Sequence, residues 1–252
     1  MKTEANNKEE VGTSGGKVKS KSLLEISHTE TGTGESSKKT KEDSLTLSSY
    51  DIFNKCIKRA NNLVNFHQEN ERETGKEEHY CDAYRAAIVL SISALDAFVR
   101  TLVIENVKNI LLNSSSPLNV GLRDYLKNLL NQDKLLDAAR NYNLLEIVEK
   151  ALRDDFEKKS FQGEWKITQF MELVGHPEIF KKVSINAELN ETTLTNKINK
   201  FTKRRHTIAH SGDYKLNQTE QTENDIDKEY ANDCIKTVSA FAKNLNEICQ
   251  AK

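Results

Sequence analysis

An all-α fold is what this sequence predicts, and three observations carry the prediction. The 252 residues hold only two prolines, and glycine is scarce beyond the first third. Long stretches are rich in Leu, Ile, Lys, Glu and Asn, with aromatic residues at 7%. Apolar positions recur at the three- and four-residue spacing of one helix face, which a β-sandwich or barrel would not show.

Residues 1–45 stand apart. They contain no aromatic side chain, interleave Lys with Glu, and carry Gly-Thr-Ser-Gly-Gly and Thr-Gly-Thr-Gly stretches. Such a segment cannot bury enough apolar area to offset the entropy of ordering it, so a disordered polar tail is expected there. A helical domain is expected over residues 46–252.

Ser48 or Ser49 can cap the first helix, whose apolar face reads Ile52, Phe53, Cys56, Ile57, Ala60, Leu63 and Val64. A second helix is predicted from about Tyr80 to Leu112. Its middle, Ala86 to Leu95, is apolar on nearly every side, as a central core helix requires. Asn113 to Pro117 should close it, because three serines and a proline favour a turn. Leu122 to Phe156 offers one or two shorter helices. After Gly163 another holds Trp165, Ile167, Phe170, Met171 and Leu173 and breaks at Gly175-His176-Pro177, with a short helical piece beyond. Asn190 or Glu191 opens the next helix, and Gly212 is its natural stop. The last helix is expected from roughly Asn224 to Cys249, with a stripe that packs on the central helix or on another subunit.

Several function classes are set aside by composition. A net charge of -1 supplies no global field for steering a polyanion, so any nucleic acid must meet a local basic patch. Cys56, Cys81, Cys234 and Cys249 are scattered without a Cys-x-x-Cys pair, which suggests neither a zinc framework nor a disulfide scaffold. Met1 to Lys21 has no apolar run of a signal peptide, and Asp96 interrupts the most apolar stretch; a cytoplasmic protein that does not span a membrane is expected. Asn113, Asn190 and Asn217 stand in glycosylation-acceptor patterns that are read as chance matches.

The segment Lys203-Arg204-Arg205-His206-Thr207-Ile208-Ala209-His210 carries the chemistry. Arginine offers a permanent charge and five fork-arranged donors suited to phosphate, and histidine moves protons near neutral pH. Arg205 lies five positions before His210; Arg204, six before, also fits the spacing. Three plainer readings compete. A Lys/Arg cluster at a helix end can simply complement the negative end of the helix dipole. His206 and His210 share a helix face as zinc ligands would, but no Glu-x-x-His or nearby cysteine completes a set, so no metal is expected. Asp213 after a helix-ending glycine is also an ordinary turn residue.

These residues resemble the HEPN superfamily, all-helical proteins marked by an Arg-x4-6-His signature. The closer likeness is to the RiboL-PSP-HEPN family, through Arg204-Arg205-His206-x-Ile208-Ala209-His210 with Asp213 after it. Ser93 to Arg100, and Ser160-Phe161-Gln162 leading to Ile167 and Leu173-Val174-Gly175, agree in character. The likeness covers roughly residues 50–250 and implies a HEPN-like helical bundle with additional short helices.

What the resemblance implies is a metal-independent endoribonuclease without cofactor, in which two subunits set their signature segments face to face. Arg205 and His210 would be catalytic, with Arg204, His206, Asp96, Asp213 and Lys203 binding substrate or supporting the site. The expected partners are RNA, a second copy of the chain, and an antitoxin or other protein of a bacterial defence system. Asp96, inside the most apolar helix, needs a buried partner such as Arg205 or Arg100 unless it faces solvent. The competing function is a non-catalytic helical module that binds RNA or a nucleotide through the same arginine and histidine.

Overall fold

The computed structural model describes residues 47–70, 77–113, 117–215 and 222–251. The tail expected over 1–45, the serines at 114–116 and the Asn217 acceptor pattern lie outside them. Among the described residues there are helices and no strand, with a single isolated bridge between Tyr214 and Glu223.

Helix α1 (Ser49–Asn70) starts where sequence capping rules place it. Ser48 Oγ accepts from the Asp51 amide at 3.1 Å and the Asp51 carboxylate accepts from the Ser48 amide at 3.2 Å, a reciprocal cap. Its inner face, Phe53, Ile57, Ala60 and Val64, lies against α2 (Glu77–Leu112). Tyr50, Phe53 and Phe98 form the ring cluster between them, with Phe53 and Phe98 centroids 5.4 Å apart.

α2 is apolar all round because it is surrounded. It packs against α1, α5, α6, α8 and α9, and Ile88, Ile92, Leu95, Val99 and Val103 are buried. By length and composition its Tyr80–Leu112 stretch could also cross a bilayer, but most of that stretch is buried inside this bundle.

The region expected to hold one or two helices holds three: α3 (Val120–Leu129), α4 (Gln132–Asn141) and α5 (Leu144–Phe156). Asn119 and Asn131 cap the first two by accepting from the Leu122 and Lys134 amides. Tyr142, in the left-handed region at φ 54°, separates the last two. Helix α6 (Glu164–Leu173) brings Phe170 onto Phe156 and Phe161, with centroids 5.3 and 4.4 Å away. Helix α7 (Ile179–Asn186) follows the Gly175 break.

Helix α8 (Glu191–Ser211) is capped by Asn190, whose side chain accepts from Thr193 N, and it buries Leu194, Ile198 and Phe201. Helix α9 (Lys228–Gln250) begins later than Asn224 because Asp227 is the cap and Asn224 is bonded to Asp213. Its stripe of Cys234, Val238, Phe241 and Leu245 is satisfied within the protomer, against α1, α2, α7 and α8. All four cysteines are free thiols; burial pushes Cys249 up to about 12.

Candidate functional site

The Arg/His segment forms the last two turns of α8. Gly212 ends the helix in the left-handed conformation at φ 59°, with its amide bonded back to Thr207 O. A residue there with a Cβ would meet the Tyr214 ring at 3.7 Å. The chain then returns along itself: Lys215 N donates to Thr222 O, and Asn224 N to Asp213 O, both at 2.9 Å.

Within those turns the side chains divide by direction. Lys203, His206 and His210 are exposed, Arg204 and Arg205 are half-buried, and Ile208 packs on the core. The His206 and His210 rings lie one above the other, centroids 4.2 Å apart and tilted by 44°. The i, i+4 relation delivers that pairing. Two proton-carrying rings therefore share one open patch.

The two arginines, interchangeable by spacing, have different surroundings. Arg204 turns inward, where its Nη2 donates to Asp213 Oδ2 at 2.6 Å and to the carbonyls of Asn224 and Asp225 at 3.2 and 3.0 Å. Its guanidinium also lies over the Tyr230 ring, 5.6 Å from the centroid. Arg205 makes no hydrogen bond or ion pair with any described residue, and its Nε is buried without a partner. Arg204 Nε is likewise buried without a partner, so the two differ at their outer nitrogens: Arg204 Nη2 is engaged, whereas no Arg205 nitrogen is bonded to a described residue.

Asp213 has no exposed surface and lies between two cations. Opposite Arg204, Arg85 of α2 donates from Nε to the same Oδ2 at 3.0 Å and pairs through Nη2 with Glu223 at 2.8 Å. Asp82 adds a contact at 3.2 Å. Burial works against the Arg85 charge, yet Asp213, Glu223 and Asp82 outweigh it and raise its pKa above the ordinary arginine value. Beside this cluster the Tyr214 hydroxyl bonds Glu223, which raises the phenol's pKa.

Of the two partners considered for Asp96 from sequence, Arg205 and Arg100, the structure gives it the one on its own helix. Asp96 lies eleven residues beyond Arg85 on α2, roughly 16 Å along the axis. There it accepts from the Phe161 amide and from Arg100 Nη2, both at 2.7 Å. A carboxylate in an apolar helix takes the nearest cation that costs least to order, and a residue one turn away is that cation.

Arg85, Asn224 and Tyr230 were not singled out from sequence. Arg85 carried a signal, since a cation just ahead of an apolar helix centre needs a buried partner as much as Asp96 does. Nothing local marked Asn224 or Tyr230. A cavity of about 570 Å³ opens beside Arg85, lined also by Cys81, Asp82, Glu223 and Asp225, and is too acidic on its rim to favour phosphate. A larger one of about 700 Å³, between α3 and α6, is lined by Tyr125, Lys159 and Phe170 and is remote in sequence from α8's end. Neither contains Arg205 or His210. Among the described residues no group of His, Cys, Asp and Glu is arranged to hold a metal ion.

The family model for RiboL-PSP-HEPN matches residues 54–250. The chain belongs to the RiboL-PSP-HEPN family. The match spans α1 through α9 and includes the whole of the α8 segment. No curated protein and no solved structure matches the chain. HEPN domains are generally ribonucleases, so membership of the RiboL-PSP-HEPN family points, at a coarse level, to a ribonuclease-like or nucleotide-related function, with RNA the substrate that the family suggests.

Proposed function

We propose that the protein is a metal-independent endoribonuclease that cuts RNA by attack of the 2′-hydroxyl on the adjacent phosphate, at a site completed by a second copy of the chain. The observation that carries this reading is the exposed His206–His210 pair beside Arg205, an arginine with unengaged donors among the described residues. His210 takes the proton from the 2′-hydroxyl, O2′ bonds to phosphorus, and the bond to O5′ breaks. A second imidazole, His206 or the His210 of the other copy, returns a proton to the departing O5′. Arg205 neutralises charge gathering on the phosphoryl oxygens. Lys203 and Lys200, both exposed on α8, meet neighbouring phosphates.

Helix geometry supports a two-copy site. Arg205 and His210 point about 140° apart on a regular helix, so one copy does not aim both at a single phosphate. An open patch facing its two-fold mate supplies the missing direction. The cellular setting that fits such an enzyme is bacterial defence against phage or a toxin with a restraining antitoxin, in the cytoplasm.

The test is cleavage of labelled RNA in EDTA by the wild type, His210→Ala and Arg205→Ala. The wild type should leave 2′,3′-cyclic phosphate and 5′-hydroxyl ends and spare DNA of the same sequence. Each variant should lose about 10²- to 10⁴-fold in rate. RNA binding without cleavage by the wild type would instead make the protein a non-catalytic RNA or nucleotide adaptor.

A further inference from the structure

The charge cluster behind the histidine patch is an unusual way to end a helix. Gly212 and Asp213 are left-handed in succession, at φ 59° and 67°, and only the first is a glycine. The second carries a carboxylate into a place with no solvent, where Arg85 and Arg204 share its Oδ2. A buried ion triad is a poor source of stability compared with apolar packing, because desolvation consumes most of its Coulomb energy. A non-glycine residue in the left-handed region adds further cost. What such a triad does supply is direction.

We infer that Asp213 is a positioning residue, which acts through Arg204 to set the rotation of the α8 terminus and so to aim the His206–His210 face outward. This rests on the ribonuclease reading for its catalytic consequence, though not for its geometry. Successive residues on a helix step by 100°, so with Arg204 drawn toward Asp213, His206 and His210 fall roughly 200° and 240° away. That is the far side of the helix. Arg205 falls between, at about 100°, which agrees with its half-buried state.

Arg85, Asn224 and Asp225 tie the lock to elements outside α8, and two bonds to Thr207 O close it onto the helix itself. Arg85 connects Asp213 to the central helix α2. Asn224 Nδ2 donates to Asp213 O at 2.7 Å, and the Asn224 and Asp225 carbonyls accept from Arg204, which ties in the returning segment before α9. Thr207 O accepts from the Ser211 hydroxyl at 2.7 Å and from the Asp213 amide at 3.3 Å, which joins the turn to the segment between the two histidines. The Arg204 side of the last turn is thereby held, and the histidine face is left open.

The experiment compares Asp213→Asn with two controls by imidazole NMR of His206 and His210 and by RNA cleavage. Asp82→Asn removes an exposed partner of Arg85, and Val148→Ala destabilises α5 away from α8. In Asp213→Asn the amide keeps the size and loses the charge; the two ring resonances should shift, and kcat should fall about 10²-fold while KM stays within about threefold. Neither control should move the resonances, even where Val148→Ala lowers Tm as much. If Asp213→Asn fails to fold, Arg204→Gln breaks the same link with Asp213 still paired to Arg85, and the same shifts are expected. Unchanged ring resonances in the folded variant, or the same shifts in Val148→Ala, overturn the inference. A wild type that cuts no RNA sinks the ribonuclease reading alone, and the ring resonances still decide the role of Asp213.

Discussion

Asp96 and Asp213 are both buried aspartates that meet arginines, and they do opposite jobs. Asp96 lies in the middle of α2, pairs with Arg100 on its own helix and accepts from the Phe161 amide, so it stitches the α5–α6 connection to the core. Arg100 then lies over the Phe161 ring at 5.6 Å, inside the aromatic cluster of Tyr125, Phe156 and Phe170. Asp213 collects its arginines from two different helices and stands directly behind an exposed pair of rings. The lesson is that a buried carboxylate is not informative by itself. Its partners' origins, and what lies on the other side of them, separate a stitch from an aiming device.

The largest effect that tests this contrast is on stability at the stitch. Asp96→Ala leaves Arg100 without its carboxylate and the Phe161 amide without its acceptor, which should cost about 3–5 kcal/mol in urea unfolding. Cleavage per folded molecule should stay at the wild-type level, and a matching loss of activity would erase the distinction between the two aspartates. A smaller effect separates the neighbouring arginines. Arg204→Ala strips one cation from Asp213 and should cost about 2–3 kcal/mol. Arg205→Ala removes no pairing with a described residue and should stay within about 0.5 kcal/mol of the wild type. Equal costs for the two would mean that Arg205 is as embedded as Arg204.

The smallest effect is at a histidine outside both regions. Burial of His176, helped by the nearby Lys182 charge, lowers its pKa from the ordinary value. The folded state thus binds this proton less readily than the unfolded chain does. Stability should be complete above about pH 6.5 and decline as the pH falls from there toward the folded value. His176→Gln should flatten that decline in Tm measured against pH.

Most of the helical frame was readable from local signals. Asn190, Gly212, Gly163 and the Gly175 break bound their helices as capping chemistry requires, and the unbroken apolar centre of α2 marked the core helix. The three-way division of residues 120–156 was legible only in part. Asn131 is an ordinary cap, but Tyr142 in a left-handed conformation follows no sequence rule. The start of α9 moved to Lys228 because Asn224 to Ile226 were drawn into the turn behind α8, a tertiary demand that no local pattern reports. For the candidate site, the segment itself was visible and its wiring was not. Spacing alone left Arg204 and Arg205 equivalent, since what distinguishes them is Asp213 and Arg85, the latter more than a hundred residues away.

The central position of α2 also bears on how the chain comes to be made. A helix this greasy leaves the ribosome long before α8 and α9, the elements that later cover it, and at roughly 5–20 residues per second the interval is several seconds. During that time α1 is the first partner at hand to shield it, and α5 and α6 follow before α8. Successful biogenesis therefore depends on early pairing of the first two helices, and mutations at Phe53 or Phe98 should lower soluble yield more than they lower the melting temperature of what does fold.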